Sequence, residues 1–243
     1  RSIAGNNRQL YSRLKEFNPV QTAHEFNVTS KQSLEKISAQ EADVFTSVSE
    51  ITGRECEAFL GKKPDVITPN GFEDTFVPAP EHFEEARRTA RDKLLTVAQA
   101  LLGYDLPDDT LLVSTSGRYE YRNKGIDLFL SSLGEVNRKN DSNRKCVAFI
   151  LVPAYHKGPR QDLAAALAGG ARVTEGDRYL THGLHYVNDD PVMNQLTREG
   201  IQNAEADSVK VIFVPSYLNG NDGIFNMEYY DLLIGFDLTL YPS

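Results

Sequence analysis

The sequence has no tryptophan, two methionines and two cysteines in 243 residues. Cys56 and Cys146 sit in a helix-like and a strand-like apolar context, too few and too isolated for a disulfide framework or a zinc site. Both read as buried thiols of a protein in a reducing compartment. No apolar run reaches the length that spans a bilayer, and no signal-peptide pattern is present, so no membrane partner is expected and the expected location is the cytoplasm. Positive charge is in short supply. Lysine plus arginine number 26 against 34 aspartates and glutamates, a net charge of −8, which argues against nucleic acid as a partner and confines any anion site to a local cluster. Core is not limiting: the length allows one large or two small domains, and a single domain of this size buries roughly three quarters of its unfolded surface.

One such local cluster organises the chain. Ser116-Gly117-Arg118-Tyr119-Glu120-Tyr121-Arg122-Asn123-Lys124-Gly125 follows the apolar run 111–113 and leads into Ile126, Leu128, Phe129, Leu130, Leu133 and Val136. The pattern predicts a strand, a loop and a helix over 123–138. A helix start offers unpaired N–H groups and the positive end of the macrodipole, and glycine lets a ligand approach the backbone. Gly117, Arg118 and Lys124 are therefore candidate anion-binding residues; the alternative is an ordinary loop with solvated charges.

In chain order, residues 6–17 show helical spacing on a polar background, and Asn18-Pro19 ends that segment. Asn27-Val28-Thr29 reads as the N-cap region of a helix over 30–42 rather than a glycosylation acceptor. Residues 43–48 alternate as a strand, and Ser47 with Glu50 forms a capping-box signature for a helix over 50–60. Residues 61–64 break it, 65–68 form a short strand, and Pro69-Asn70-Gly71 predicts a tight turn with positive φ. The charged run 81–102 reads as a linker helix. From Leu111 onward strands and helices alternate as in a parallel sheet with covering helices, and 146–153 is the continuous apolar strand expected where both faces are covered. A short Ala and Leu helix within 155–176, a helix over 192–202 capped by Asp189-Asp190, a strand over 209–215, a flexible loop over 219–223, a helix over 227–234 and a strand over 236–241 complete the reading. His182 and His185 lack the further ligand that a zinc site needs, so they read as polar loop residues.

The stretch from Gly117 to Leu130 resembles the segment that opens the C-terminal domain of glycogen synthases of the eukaryotic type, glycosyltransferase family 3. Four other segments are similar to that family in the same order: RSIAG at 1–5, ADVFTSVSEITGRECEAFLGKKPDVITPNG at 42–71, the segment 181–191, and the segment 209–243. The resemblance implies a GT-B-like α/β fold. Residues 1–71 would be the end of an N-terminal Rossmann-like domain, 72–109 a linker with its helix, and 110–243 the first part of a C-terminal doubly wound, parallel-sheet domain. A fragment is expected, since the chain starts without methionine and stops after a strand-like run. The implied activity is retaining transfer of glucose from UDP-glucose or ADP-glucose to the non-reducing end of an α-1,4-glucan, without a metal or other cofactor. Arg118 and Lys124, with Gly117, would bind the donor diphosphate from the C-terminal domain and Arg1 from the N-terminal domain.

Departures from the family pattern carry expectations too. The catalytic glutamates are expected beyond Ser243. Valine at 214 replaces a nucleotide-binding histidine, which leaves open a non-catalytic nucleotide-sugar or glucan-binding relative, or transfer to another acceptor. Where the family helix binds the activator glucose 6-phosphate, only Arg87 and Arg91 keep basic character, and Glu81 and Glu84 would repel a phosphate. Within 155–176 the family carries a long helical insertion with roles in subunit assembly; either it is absent here or a stretch is missing from the numbered sequence, so the form of any homo-oligomer is open.

Overall fold

The computed structural model describes residues 9–139 and 144–242, and Arg1–Glu73 and Asp74–Ser243 form two compact units. In the first unit the described chain starts with turns and a 3-10 turn, Leu14–Glu16, instead of a full helix. Asn18-Pro19 begins an element rather than only ending one: the Asn18 carboxamide accepts the N–H groups of Val20 and Gln21, and α1 runs Pro19–Glu25 with proline where no N–H is needed. Next come α2 (Thr29–Glu41), β1 (Thr46–Ser47), α3 (Glu50–Leu60) and β2 (Val66–Ile67), with β1 and β2 parallel. The cap of α3 is Ser49, not Ser47. Ser49 has extended dihedrals and accepts from Thr52 N at 3.1 Å, whereas Ser47 lies in β1 and donates to Ser49 O. Neither Asn70 nor Gly71 has positive φ. An Asn-Gly pair adopts it when flanking strands fold back on each other, and here the next element is a helix.

In the second unit α4 (Pro80–Leu102) starts with proline at its first position and lays Leu94, Val97, Ala98, Leu101 and Leu102 in a buried stripe. The main sheet has four parallel strands: β3 (Leu111–Ser116), β4 (Cys146–Leu151), β7 (Val209–Val214) and β8 (Leu238–Thr239), in the order β7-β4-β3-β8. Alternate residues face opposite sides. Val147, Phe149, Ile212 and Val214 pack with α4, with α6 (Gln161–Ala168) and with α8 (Tyr229–Leu233). Ala148, Ile150, Val211 and Phe213 pack with α5 (Ile126–Lys139) and α7 (Pro191–Glu199). This is a three-layer α/β unit with helices on both faces of a parallel sheet. From β3 the chain steps to β4 and β7 on one side and returns to β8 on the other. That reversal opens a crevice beyond the carboxyl ends of the strands.

Three local readings change. Helix α5 starts at Ile126, not 123, because Lys124 N–H bonds Glu120 O, Gly125 N–H bonds Arg122 O, and Gly125 has φ +63°. An antiparallel pair, β5 (His156–Pro159) with β6 (His182–Leu184), flanks α6; two four-residue or shorter strands leave almost no periodic signal. The 219–223 loop is laced rather than loose: the Asp222 carboxylate accepts from the N–H groups of Ile224, Phe225 and Asn226. Cys56 and Cys146 are free thiols, each half-buried, and burial pushes the Cys146 thiol up to about 11. Among the described residues no helix is long and apolar enough to cross a membrane.

Candidate functional site

A cleft of about 590 Å³ lies at the carboxyl ends of the main sheet. Ser116 and Leu151 close β3 and β4 and form part of its floor, Ser216 and Tyr217 enter just past β7, and Tyr241 enters just past β8. At the floor three hydroxyls meet. Ser116 Oγ lies 2.7 Å from Tyr229 Oη and donates to Tyr241 Oη at 3.1 Å, and the two phenols are 3.1 Å apart. Burial first, then the bond to Tyr241, pushes the Tyr229 phenol up to about 12, so the group stays a neutral donor and acceptor at neutral pH. Tyr217 is 74% exposed on the rim.

The loop after β3 forms the remaining wall through Gly117, Arg118 and Tyr119. Gly117 has φ +137°, a conformation open to glycine and strained for other residues, and its exposed backbone can be approached closely. Two tyrosines pin the loop from below. Tyr119 donates to Asp190 Oδ2 at 2.6 Å and packs edge-on against Phe213, and Tyr121 donates to Gln195 Oε1. Asp190 is at once the N-cap of α7, accepting from Val192 N and Met193 N through Oδ1. Capping is therefore the role of Asp190, with a second bond that ties the loop to α7. Burial and the Asp190 carboxylate push the Tyr119 phenol far above its usual value, which keeps it a hydrogen-bond donor.

The residues singled out in the sequence fall in different places. Gly117 and Arg118 line the cleft, and Lys124 does not. The Arg118 side chain is 80% exposed and forms an ion pair with Glu120 at 3.4 Å; so exposed a pair contributes little, about 0–1 kcal/mol, and leaves the side chain able to turn to an anion. Lys124 is half-buried just before α5. Arg1 lies outside the described residues. Val214 is fully buried at the end of β7, so it presents no polar group to the cleft. Sequence reasoning misses Ser116, Tyr229 and Tyr241, since their convergence joins positions more than a hundred residues apart and no local pattern marks it.

Two other groups are committed to structure. Arg87 donates to Ile234 O, Phe236 O and Asp237 Oδ1, each at 2.9 Å, and Arg91 donates to Asp237 Oδ2 at 2.9 Å and to Thr110 O. These guanidiniums fasten α4 to the start of β8 and are not presented to an anion. His182 is fully buried, with Nδ1 2.9 Å from Thr181 Oγ1 and Nε2 2.9 Å from Asp222 O. A carbonyl acceptor requires the proton on Nε2, and burial holds the ring below its usual pKa, so it is neutral. Both ring nitrogens are engaged, and among the described residues no group of three or more His, Cys, Asp or Glu is placed to hold a metal.

Comparison with known proteins gives this geometry a context. The family model for glycogen synthase matches residues 1–164 and 175–243. The chain is 28% identical over 99% of its length to glycogen [starch] synthase isoform 1 of Saccharomyces cerevisiae, covering 43% of that protein. It is 29% identical over its whole length to glycogen [starch] synthase of Dictyostelium discoideum, covering 34%, and 28% identical to the liver enzyme of Rattus norvegicus, covering 42%. The chain thus spans less than half the length of these relatives. The yeast alignment runs over 305 positions against a chain of 243, so that relative carries residues this chain lacks, and the family match breaks between 164 and 175, from within α6 to beyond its end. With the match on both sides of that break, the chain belongs to the glycogen synthase family.

Proposed function

We propose that the protein containing this chain is a retaining glycosyltransferase of the glycogen synthase type, moving glucose from UDP-glucose or ADP-glucose to the non-reducing end of an α-1,4-glucan. The observation that carries the reading is the position of the family's Gly-Arg-Tyr-Glu-Tyr stretch. Its first three residues, Gly117, Arg118 and Tyr119, form a wall of the cleft at the carboxyl ends of the parallel strands, where open α/β sheets bind nucleotides. In the transfer the bond from the glucose anomeric carbon to the diphosphate breaks, a bond to the acceptor hydroxyl oxygen forms, and the hydroxyl proton passes to the departing phosphate. Charge grows on that phosphate, so preformed cations and N–H groups beside it lower the barrier.

Arg118 is the cation nearest that role, with Gly117 allowing close approach of the phosphate to the backbone. Lys124 is assigned to the same diphosphate, as a second point charge on the loop. Arg1 is assigned as a further diphosphate ligand from the first unit, and the catalytic carboxylates to the part of the protein outside this chain. The flat faces of the tyrosines on the cleft wall suit the heteroaromatic base of either donor. Transfer needs no metal in this scheme.

The test uses the full-length protein, wild type beside Arg118→Ala and Lys124→Ala, assayed for transfer of labelled glucose from UDP-glucose and ADP-glucose to glycogen, with and without a chelator. Each substitution is expected to lower kcat/KM at least tenfold, about 1.4 kcal/mol of transition-state stabilisation, and the chelator to change nothing. A folded wild type that is inactive with both donors overturns the synthase reading. Active variants with unchanged kcat/KM overturn the diphosphate assignment alone.

A further inference from the structure

Three aromatic rings stand together on the surface of the second unit outside the cleft. Tyr155 follows β4, and His185 and Tyr186 follow β6. The Tyr155 and His185 rings are 4.1 Å apart at 15°, Tyr155 and Tyr186 are 6.3 Å apart at 29°, and His185 and Tyr186 are 6.3 Å apart at 44°. The stack is tied at its base by His185 N–H donating to Tyr155 O at 3.2 Å. Even so, Tyr155 is 69% and Tyr186 68% exposed. Rings that pack on one another yet keep most of their faces in water form a preorganised apolar surface, and such surfaces mark binding sites.

We propose that Tyr155, His185 and Tyr186 form a stacking platform for a segment of the α-glucan acceptor, beside the cleft; the inference rests on the glycosyltransferase reading. Three observations select a glucan. The first is ring chemistry: a glucose unit has an apolar C–H face and an edge of hydroxyls, matching a flat aromatic face with a polar rim. The Tyr155 and Tyr186 hydroxyls make no hydrogen bond among the described residues, and Asn188 and Asp189 are exposed next in the chain, offering further acceptors and donors. The second is charge. Arg160 is engaged by Asp162, Asp177 and the Leu180 carbonyl, which leaves Lys157 of β5 as an exposed cation and Asp189 as an exposed carboxylate after the rings, a balanced set rather than the cluster of cations that a phosphorylated ligand would require. The third is continuity. Pro153, two residues before Tyr155, lines the cleft, as does Tyr217, which leaves the neighbouring strand β7; Ala154 N–H donates to Pro215 O at 3.1 Å between them. A glucan lying on the platform therefore lies at the same end of the sheet as the donor cleft.

The experiment measures two affinities on the full-length protein: maltoheptaose and glycogen by affinity electrophoresis and calorimetry, and the donors UDP-glucose and ADP-glucose by calorimetry. Wild type is compared with the double variant Tyr155→Ala, Tyr186→Ala and with Tyr155→Phe, all with melting temperatures recorded. The double variant is expected to bind maltoheptaose at least tenfold more weakly with unchanged donor affinity, and Tyr155→Phe to retain most of the binding, because the ring face remains. Equal glucan affinity in wild type and a folded double variant overturns the platform and leaves the cleft reading standing. A wild type that binds a donor but no glucan does the same. A wild type that binds neither overturns both.

Discussion

Asp237 ties together β3, α4 and the start of β8. Its Oδ2 accepts Leu112 N–H at 2.8 Å and Arg91 at 2.9 Å, its Oδ1 accepts Arg87 at 2.9 Å, and its own N–H donates to Leu112 O. The side chain is 23% exposed. Burial alone would raise its pKa, but the Leu112 N–H and the Arg91 and Arg87 guanidiniums outweigh it and hold the carboxyl below the usual range. Asp237→Asn keeps the shape, removes the charge, and turns an amide N–H₂ toward either a guanidinium or a backbone N–H. Breaking one side of a largely buried ion pair costs about 3–5 kcal/mol, and the partial exposure brings the expectation to the lower end, about 3 kcal/mol.

Urea denaturation monitored by circular dichroism at pH 7 measures this directly. With a slope of about 2 kcal/mol per molar, the transition that melts the second unit should move down by about 1.5 M. The pH dependence supplies an independent check. A carboxyl with a depressed folded-state pKa contributes stability that is complete above the unfolded value of about 3.9 and is lost as pH falls through the folded value. The gap between wild type and variant must therefore close in acid. A gap below about 0.5 kcal/mol at pH 7, the scale of an ordinary surface substitution, or a gap that persists unchanged below pH 3, refutes the role given to Asp237.

Because Arg87 and Arg91 are engaged by this carboxylate, millimolar glucose 6-phosphate should leave both the transfer rate and the melting temperature unchanged; stimulation of the rate would show that the arginines can be released. Gly125→Ala should cost about 1–3 kcal/mol, since φ is +63° and the new Cβ would stand 2.6 Å from Pro242 Cβ; a neutral result by thermal melting would mean that the loop or the 242 region relaxes freely. Lys210 is fully buried against the Glu205 and Asp207 carbonyls, and burial, with Lys145 nearby, pulls it from 10.5 to about 8. Between those values the unfolded chain keeps a proton that the folded one sheds, so stability rises with pH from about 8 to about 10.5: the cost of burying the charged amine is complete below the folded value and is gone above the unfolded one. Lys210→Met should therefore be more stable than wild type at pH 7, by up to about 3 kcal/mol, with the advantage shrinking toward pH 10, and a constant difference would refute it. His182 is held neutral by burial while the unfolded imidazole gains a proton below about pH 6.5. Wild type should lose more stability than His182→Gln between pH 7 and pH 5, and parallel melting curves would count against that.

How much of the molecule is readable from its sequence depends on the range over which each feature is determined. The boundaries of α3 and the buried runs of β4 and β7 come from local pattern, because an uninterrupted apolar stretch such as Val209–Val214 leaves a sheet strand covered on both faces as the simplest outcome. Ser47 passes for the cap of α3 because two serines stand near the same helix start, and only the dihedrals separate them. Features made by distant partners leave no local trace. Arg87 and Arg91 look like free basic residues until Asp237, about 150 positions later, is placed beside them.

The loop after β3 shows why a motif can be read correctly as a whole and still be misread letter by letter. Gly117 and Arg118 face the cleft, Tyr119 lines it while its hydroxyl is tied to Asp190, and Tyr121, outside the lining, anchors the loop to α7 through Gln195. Gly125 has a third task, giving the chain the left-handed residue from which α5 can start. Residues that touch a ligand and residues that hold those residues still are equally necessary to a preorganised site, and they alternate here within nine positions. Their separation depends on where α7 lies, which is decided by packing against α5 and the sheet. A linear string of residues does not carry that information, which is why Arg118 and Lys124, six positions apart on one loop, look alike in sequence although the first lines the cleft and the second does not.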